Sequence, residues 1–344
     1  MRYAIPAPRD APRDARRWLV FSMATAGLLC PFASWAQTAS TSSGQPFPNK
    51  LVRYVVPFGA GASPDIVARL MADRLTRLWG QQVIVDNRVG AAGLLGTAFV
   101  AKSPPDGYTL LQCNIASSAI AMSLFAKMPY DQVRDLAAVT RIGMMPNILT
   151  AHPSVPIRSF KAFIDYARAH PGKLSYSAGL VGTSPQLSLE LLQLMAKIKI
   201  EHIPYKIGAQ GITDTIGGQV PFNVSNFPAM VSPIQSGRLR ALAVTSANRA
   251  AQLPEVPTVQ EAGFAGYDVQ SWYGVCAPAA TPTAVLDKLH ADINTVLRMP
   301  DVQQRLNELV IGGPPTSREE FDQFIRAEIA RWAQVIKDAA IAQQ

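Results

Sequence analysis

The chain has 344 residues, of which 48% are hydrophobic and 16% are charged, and it carries a formal net charge of +8. Basic and aromatic residues are not interleaved along a stripe, which argues against a nucleic-acid-binding surface. Beyond the N-terminal region, no stretch of about 18 uninterrupted apolar residues occurs, so the sequence predicts no membrane span.

Residues 1–36 have the pattern of a secretory signal peptide. Five arginines precede a short apolar run, and the small-x-small sequence Ser34-Trp35-Ala36 stands before Gln37. We expect cleavage near Ala36 and Gln37, which leaves an exported, soluble protein with a formal net charge of +5 after the loss of five Arg and two Asp. A lipid anchor on Cys30 is a less favoured alternative.

The rest of the chain alternates short apolar runs with longer amphipathic ones, after a polar segment (37–50) that predicts a flexible N-terminus. Strands are predicted at 52–57, 82–85, 109–112, 147–151, 174–177, 201–203, 220–224, 239–245 and 272–277. Helices are predicted at 63–78, 93–101, 159–169, 185–196, 229–236, 282–297 and 318–337. This alternation predicts an α/β fold with mainly parallel sheets flanked by helices.

The expected domain organisation is two lobes, because the mature length exceeds what a single core usually supports. Two Pro-flanked segments, 144–156 and 252–269, are the predicted crossings between them. Lobe 1 would comprise residues 51–143 together with 265–344, and lobe 2 residues 144–264. Two lobes joined by two crossings are typical of a hinge-closing binding protein.

The first glycine turn (residues 58–65) follows a predicted strand in the sequence "VVPFGAGASPDIVARL". Ser63 suits the N-cap of the next helix, Pro64 suits its first position, and Asp65 favours the helix dipole. A strand, glycine turn and helix start in this order can bind an anion through free N–H groups. A nucleotide is disfavoured, because the Lys of a P-loop and the third glycine of the dinucleotide fingerprint are missing.

A second glycine turn (residues 177–186) occurs in "SYSAGLVGTSPQLSLELL". Gly179 and Gly182 form the turn, Thr183 or Ser184 caps the helix, and Pro185 opens it. Since each predicted lobe carries one such turn, we expect two helix N-termini to close on one ligand. Neutral donors of this kind suit reversible capture of a carboxylate.

Catalytic and metal-binding patterns are weak. The four histidines are isolated from one another and from acidic residues, so we expect no metal and no cofactor. Residues 182–186 begin like a nucleophile elbow, but Gln186 replaces the closing glycine. An exported serine hydrolase of carboxyl esters, acting through Ser184, is therefore an alternative that lacks a partnered base. Cys113 and Cys276 could form a disulfide after export, but their spacing does not decide it.

Ordered blocks over residues 51–339 resemble the Bug family, the periplasmic solute-binding components of tripartite tricarboxylate transporters. These blocks include both glycine turns, "IPYKIGAQGITDTIGGQV", and "GRLRALAVTSANRAAQLPEVPTVQEAGFAGYDVQSWYGVCAP". The resemblance implies a type II periplasmic-binding-protein fold, a monomer in the periplasm, and a small carboxylate ligand delivered to a membrane permease. A sensory protein that presents its ligand to a receptor kinase is an open alternative.

The resemblance also implies a set of ligand-binding residues. In the first turn these are Phe58, Gly59, Ala60, Gly61, Ser63 and Asp65, with Asp65 binding water or orienting the loop. In the second turn they are Ser177, Gly179, Thr183, Ser184 and Gln186. Tyr205, Lys206, Ser225 and Asn226 would border the far end of the ligand.

Three positions depart from the family pattern. Residues 62–64 replace a second glycine pair, Gln186 stands where His is common, and Ser225 stands where Asp is common. Losing that acid removes a negative charge near the predicted cleft. We therefore expect a di- or tricarboxylate or an aromatic acid, and not an amino acid whose ammonium group would favour Asp.

Overall fold

The computed structural model describes residues 47–343. The predicted signal peptide, its cleavage site and most of the predicted flexible segment lie outside these residues. Residues 47–50, the end of that segment, pack on the loop before the third strand, where the Asn49 N–H donates to the Tyr108 hydroxyl at 3.1 Å. In this described part, no helix is long and apolar enough to cross a membrane.

The described chain alternates strands and helices from one end to the other. Its strands are β1 (Val52–Val56), β2 (Val83–Asn87), β3 (Thr109–Asn114), β4 (Leu136–Ala151), β5 (Ser175–Ala178), β6 (Glu201–Pro204), β7 (Phe222–Asn226), β8 (Arg240–Val244) and β9 (Gln270–Pro278). Its α-helices are α1 (Ser63–Trp79), α2 (Leu94–Ala101), α3 (Ala121–Leu124), α4 (Gln132–Asp135), α5 (Phe160–Ala169), α6 (Ser184–Ala196), α7 (Gly208–Ile216), α8 (Phe227–Gln235), α9 (Thr283–Leu297), α10 (Pro300–Glu308) and α11 (Arg318–Asp338). Every predicted strand and helix coincides with one of these elements.

The strands form one mixed sheet in the order β2-β1-β3-β9-β4-β7-β5-β6, with β8 paired to β4. The outer neighbours are parallel, namely β1 with β2 and β3, and β5 with β6 and β7. The pairs around β4 and β9 are antiparallel. The carboxyl ends of β1 and β2, and those of β5, β6 and β7, therefore meet at common sheet edges, where α/β proteins bind ligands.

Strand β4 belongs to both halves of the sheet. It pairs with β9 as far as Pro146, opposite Gln270, with β7 from Asn147 onward, and with β8 from Ile148 onward. Beside this change of partner, the buried Thr245 hydroxyl donates to the Val269 carbonyl at 2.6 Å and accepts from the Asn147 N–H at 2.8 Å. Thr245 thus joins the part of β4 that leads into the second half of the sheet to the segment that leads out of it into β9.

A disulfide links Cys113 of β3 to Cys276 of β9, with their Cα atoms 5.8 Å apart. The two residues lie on neighbouring antiparallel strands and are fully buried, so the sheet brings them within bonding reach. The pairing that the sequence left open is therefore present, and it joins the two strands that connect the outer parallel strands of one half to β4.

Candidate functional site

The first glycine turn follows β1 and leads into α1. Gly61 adopts a positive φ of 78°, and its N–H donates to the Asp65 carboxylate at 2.8 Å. The N-cap is Ala62, without a side-chain cap, and Ser63 is the first helical residue. The prediction that Ser63 caps the helix is therefore wrong, because the turn is closed by a side chain at the third helical position.

Asp65 holds this turn in place. Its Oδ2 accepts from Gly61 N and Arg69 Nε at 2.8 and 2.9 Å, and its Oδ1 accepts from Asn87 Nδ2 at 2.9 Å. Asn87 Nδ2 also donates to the Phe58 carbonyl at 2.9 Å. Burial raises the pKa of Asp65, but the donors outweigh burial, so its pKa lies below its ordinary value. The ionised carboxylate therefore orients the loop.

The second glycine turn is built on the same plan. Gly182 has a φ of 87°, and its N–H donates to Gln186 Oε1 at 3.2 Å. Gln186 Nε2 in turn donates to Glu190 Oε1 at 3.0 Å. Thr183 is the N-cap, but its hydroxyl donates backwards to the Leu180 carbonyl at 2.8 Å instead of capping the helix.

Two partly buried titratable side chains, those of His202 and Glu190, contact residues of the second turn. His202 on β6 lies 3.0 Å through Nε2 from the Gly179 carbonyl, and burial lowers the His202 pKa despite that hydrogen bond. The ring is therefore neutral near pH 7 and donates from Nε2. Burial also raises the pKa of Glu190, against the donors Gln186, Tyr176 and Gln193 that favour its ionised form.

Both helices begin with free backbone donors. The N–H groups of Ser63 and Asp65 on α1, and of Ser184 and Gln186 on α6, have no acceptor within residues 47–343. Such groups carry the positive end of the helix dipole. Each turn can therefore bind an anion without a cationic side chain.

The two helix N-termini converge on one short stretch of β4. Ser63 Oγ lies 3.9 Å from Met145 Sδ, and Ser184 Oγ lies 3.4 Å from Asn147 Oδ1. Met145 and Asn147 are two residues apart on one strand, so their side chains point to the same face. The free donors of both turns are thereby brought to the same face of the sheet, on either side of Pro146.

Asn147 links the second turn to the end of β7 by hydrogen bonds. Its Oδ1 also accepts from Asn226 Nδ2 at 2.9 Å, and the residue is fully buried. Ser184 and Asn226, both predicted from the sequence, are therefore brought together by a residue that the sequence analysis missed. The nearest sequence signal is a polar residue directly after Pro146, between the apolar pairs Met144-Met145 and Ile148-Leu149.

The other predicted residues of the second half lie at the same sheet edge, but their side chains differ in how free they are to contact a ligand. Tyr205 donates through its N–H to the Ala178 carbonyl at 3.0 Å and through its hydroxyl to Asp214 at 2.7 Å. Lys206 is exposed, and Ser225 is half-buried.

Ser177 is different, because its side chain is fully buried beneath the second turn. Its hydroxyl accepts from Asn223 Nδ2 at 2.8 Å and contacts the Thr215 hydroxyl at 2.8 Å and the Gly211 carbonyl at 3.2 Å. These interior contacts occupy the hydroxyl, so its geometry suits fastening α7 to the sheet more than contacting a ligand.

Catalytic and metal-binding geometry is not brought together at the turns. Ser184 Oγ faces an amide oxygen of Asn147 and not a histidine. Over residues 47–343, no group of three or more His, Cys, Asp or Glu side chains could hold a metal ion.

Comparison with known proteins identifies the family. The model of the "Tripartite tricarboxylate transporter family receptor" matches residues 67–341. The chain belongs to this receptor family. The R. palustris protein Rpa4515, solved with adipate, is 36% identical with a TM-score of 0.82, and the match covers 86% of this chain and 99% of that one.

Two further solved relatives agree. MatC from Rhodopseudomonas palustris, with bound malate, is 30% identical with a TM-score of 0.78, over 84% of this receptor and 100% of MatC. The periplasmic binding protein BugD is 30% identical with a TM-score of 0.79, over 87% of this receptor and 100% of BugD.

These comparisons confirm the predicted α/β fold of the periplasmic-binding-protein type. The structure refines it, because the central strands of the sheet are antiparallel. The receptor is a periplasmic binding protein of the Bug type, and its family and structural relatives are solute-binding proteins, not enzymes. The serine-hydrolase alternative is therefore wrong.

Proposed function

We propose that this receptor reversibly binds a small carboxylate between two lobes and delivers it to a tripartite tricarboxylate permease. The proposed lobes are residues 51–143 with 265–344, and residues 144–264; β4 changes partner between Pro146 and Asn147, three residues after the proposed boundary. The receptor acts as a monomer after signal-peptide cleavage near Ala36 and Gln37. The family and the relatives solved with adipate and malate support this proposal.

The observation that carries the proposal is the convergence of two helix N-termini with free N–H groups on one stretch of β4. A carboxylate between them accepts hydrogen bonds from both turns, and each charge-assisted bond contributes about 1.5–3 kcal/mol. Because the donors are neutral backbone groups, release requires no separation of a salt bridge. This chemistry suits a receptor that must hand its ligand on.

The proposed binding residues divide by role. Main-chain groups of Phe58, Gly59, Ala60, Gly61, Gly179 and Thr183, with Ser63 and Ser184, surround the carboxylate. Asp65 and Gln186 hold the turns, and Ser177 supports the second one from below. Tyr205, Lys206, Ser225 and Asn226 border the other end of the ligand, where we infer an anionic or aromatic group in preference to an ammonium.

A thermal-shift panel tests the proposal. Adipate, malate and benzoate are compared with inorganic phosphate and with lysine. A carboxylate at 100 times its dissociation constant adds about 2.7 kcal/mol to the free energy of unfolding, which a melting curve detects easily. Stabilisation by phosphate alone, or by none of the carboxylates, would contradict the proposal.

A charge variant with a matched control locates the site. Ser63→Asp puts a negative charge at the first helical position of α1 and should abolish the carboxylate-induced shift by repulsion, while the dipole favours folding. Thr283→Asp makes the same change at the exposed first position of α9 and should keep the wild-type shift. A full shift in Ser63→Asp would place the ligand elsewhere.

A further inference from the structure

Only one of the two polar atoms of the Asn147 amide has hydrogen-bond partners. Its Oδ1 accepts two hydrogen bonds, from Asn226 Nδ2 at 2.9 Å and from Ser184 Oγ at 3.4 Å. Its Nδ2 is buried and has no partner in the described part of the chain. The free atom lies where the second turn meets β4, two residues from the Met145 side chain that Ser63 contacts.

The surroundings of Asn147 fix which atom is free. With Asn226 donating from Nδ2, turning the Asn147 amide over would set two amide donors against each other, although the Ser184 hydroxyl could adapt as donor or acceptor. In the orientation of the structure Oδ1 accepts from both neighbours, and the unused valence is that of a donor. A buried donor without an acceptor is destabilising, and where such a donor faces a binding site a ligand oxygen can satisfy it.

A second buried amide on the same sheet shows the opposite arrangement. Asn223 on β7 donates from Nδ2 to Ser177 Oγ at 2.8 Å, and its unpaired atom is the acceptor Oδ1. Asn223 pairs with Thr150 on β4, three positions beyond Asn147, and so projects from the other face of the sheet. The free donor is thus found on the face where the two turns converge.

We infer that Asn147 determines specificity in the proposed site by donating its free Nδ2 hydrogen to an acceptor oxygen of the ligand. A carboxylate or carbonyl oxygen satisfies this donor. An ammonium group brings only donors, so it would leave both itself and Nδ2 unpaired in a buried place. Besides their proposed places beside the ligand, Asn226 and Ser184 hold the Asn147 amide through its Oδ1. This inference rests on the proposed function.

The decisive variant is Asn147→Asp, tested by calorimetric titration with two probe pairs. Malate and aspartate, and adipate and 2-aminoadipate, each pair a dicarboxylate with its amino counterpart. The aspartate side chain keeps an acceptor for Asn226 and Ser184 but replaces the free donor by a charged acceptor. We expect dicarboxylate affinity to fall about 100-fold and the preference over the amino counterpart to shrink or invert.

Two further variants keep the test informative. Asn294→Asp places the same change in another buried asparagine, between α9 and β4, where Thr140 and His290 fill both amide atoms, and it should keep the wild-type preference. Asn147→Ala removes the donor without adding charge and should weaken dicarboxylate binding about 10-fold. Melting temperatures show which variants are folded.

The outcomes separate this inference from the proposed function. If the wild type binds none of the probes, the proposed function fails and the inference fails with it. If the wild type binds adipate or malate, and Asn147→Asp and Asn147→Ala keep both the affinity and the preference, the inference is overturned while the function stands. A loss equally large in Asn294→Asp would also overturn it.

Discussion

The two glycine turns share the sequence pattern Gly-x-Ser-Pro, followed by a polar residue, but side chains of different charge hold them. In the first turn, Gly61 donates to the Asp65 carboxylate, which also pairs with Arg69. In the second, Gly182 donates to the neutral amide of Gln186, and the acid, Glu190, lies one helical turn further on. Similar backbone turns are thus held by an ionised carboxylate in one case and by a neutral amide in the other.

This difference has an electrostatic consequence for the proposed site. The negative charge of Asp65 lies within the first turn of α1 and offsets the positive end of that helix dipole. The first turn of α6 carries no charged side chain. The free N–H groups of the second turn therefore offer the more positive environment, and we expect the ligand carboxylate to be held mainly there.

The largest expected effect is the loss of stability when the charged side chain that holds the first turn is removed. Asp65→Ala removes three hydrogen bonds to a buried carboxylate and should lower the free energy of unfolding by about 3 kcal/mol. Gln186→Ala removes two hydrogen bonds of the second turn, one from Gly182 N and one to the Glu190 carboxyl, and should cost about 1 kcal/mol. Denaturant unfolding of both variants measures the difference.

Asp65→Asn is the control for shape. It keeps the size of the side chain and one acceptor oxygen but loses the charge, so its cost should fall between those of the two alanine variants. Equal costs for Asp65→Ala and Gln186→Ala would show that the charge adds nothing to the first turn.

The next effect, the cost of adding a Cβ to the turn glycine, should be larger in the second turn than in the first. A Cβ at Gly182 would collide with the side chain of Leu124 on α3, which is fully buried, whereas a Cβ at Gly61 meets open space. Both positions have positive φ. Gly61→Ala should therefore cost about 1 kcal/mol from backbone strain alone, and Gly182→Ala about 2 kcal/mol.

Chemical unfolding again measures both glycine costs. Leu124→Ala provides the control, because it removes the collision partner and should bring the added cost of Gly182→Ala down to that of Gly61→Ala. If the cost of Gly182→Ala is unchanged in the Leu124→Ala background, the collision is not its cause.

The sequence predicted the element order well because hydrophobic periodicity and turn residues are strong over most of the chain. The first part of β4, residues 136–146, was not predicted. Two register shifts interrupt its pairing with β9, so its inward and outward residues do not alternate regularly. Helix α7 was missed because two glycines weaken its helical pattern, and α10 because most of its residues are polar.

The site was harder to predict than the fold. Both turns are visible as local patterns, since glycine, serine and proline have fixed backbone preferences. The role of Asn147 depends on Ser184 and Asn226, which are 37 and 79 residues away along the chain. The pairing of β4 with β7 places Asn226 beside Asn147, and the packing of α6 on these strands places Ser184 there. No local sequence pattern encodes either contact.

The smallest expected effect is on the pH dependence of stability, and the two turns should differ in sign. The pKa of Asp65 is lowered, so Asp65 contributes stability above its ordinary pKa of about 3.9 and loses it as the pH falls through the folded value. The pKa of Glu190 is raised, so Glu190 contributes stability below its ordinary value of about 4.3 and loses it as the pH rises through the folded value. In melting curves from pH 3 to 7, Asp65→Asn should flatten the acidic limb and Glu190→Gln the limb above about pH 4.3. If both variants flatten the same limb, Asp65 and Glu190 do not have pKa shifts of opposite sign, and the expected electrostatic difference between the surroundings of the two turns is wrong.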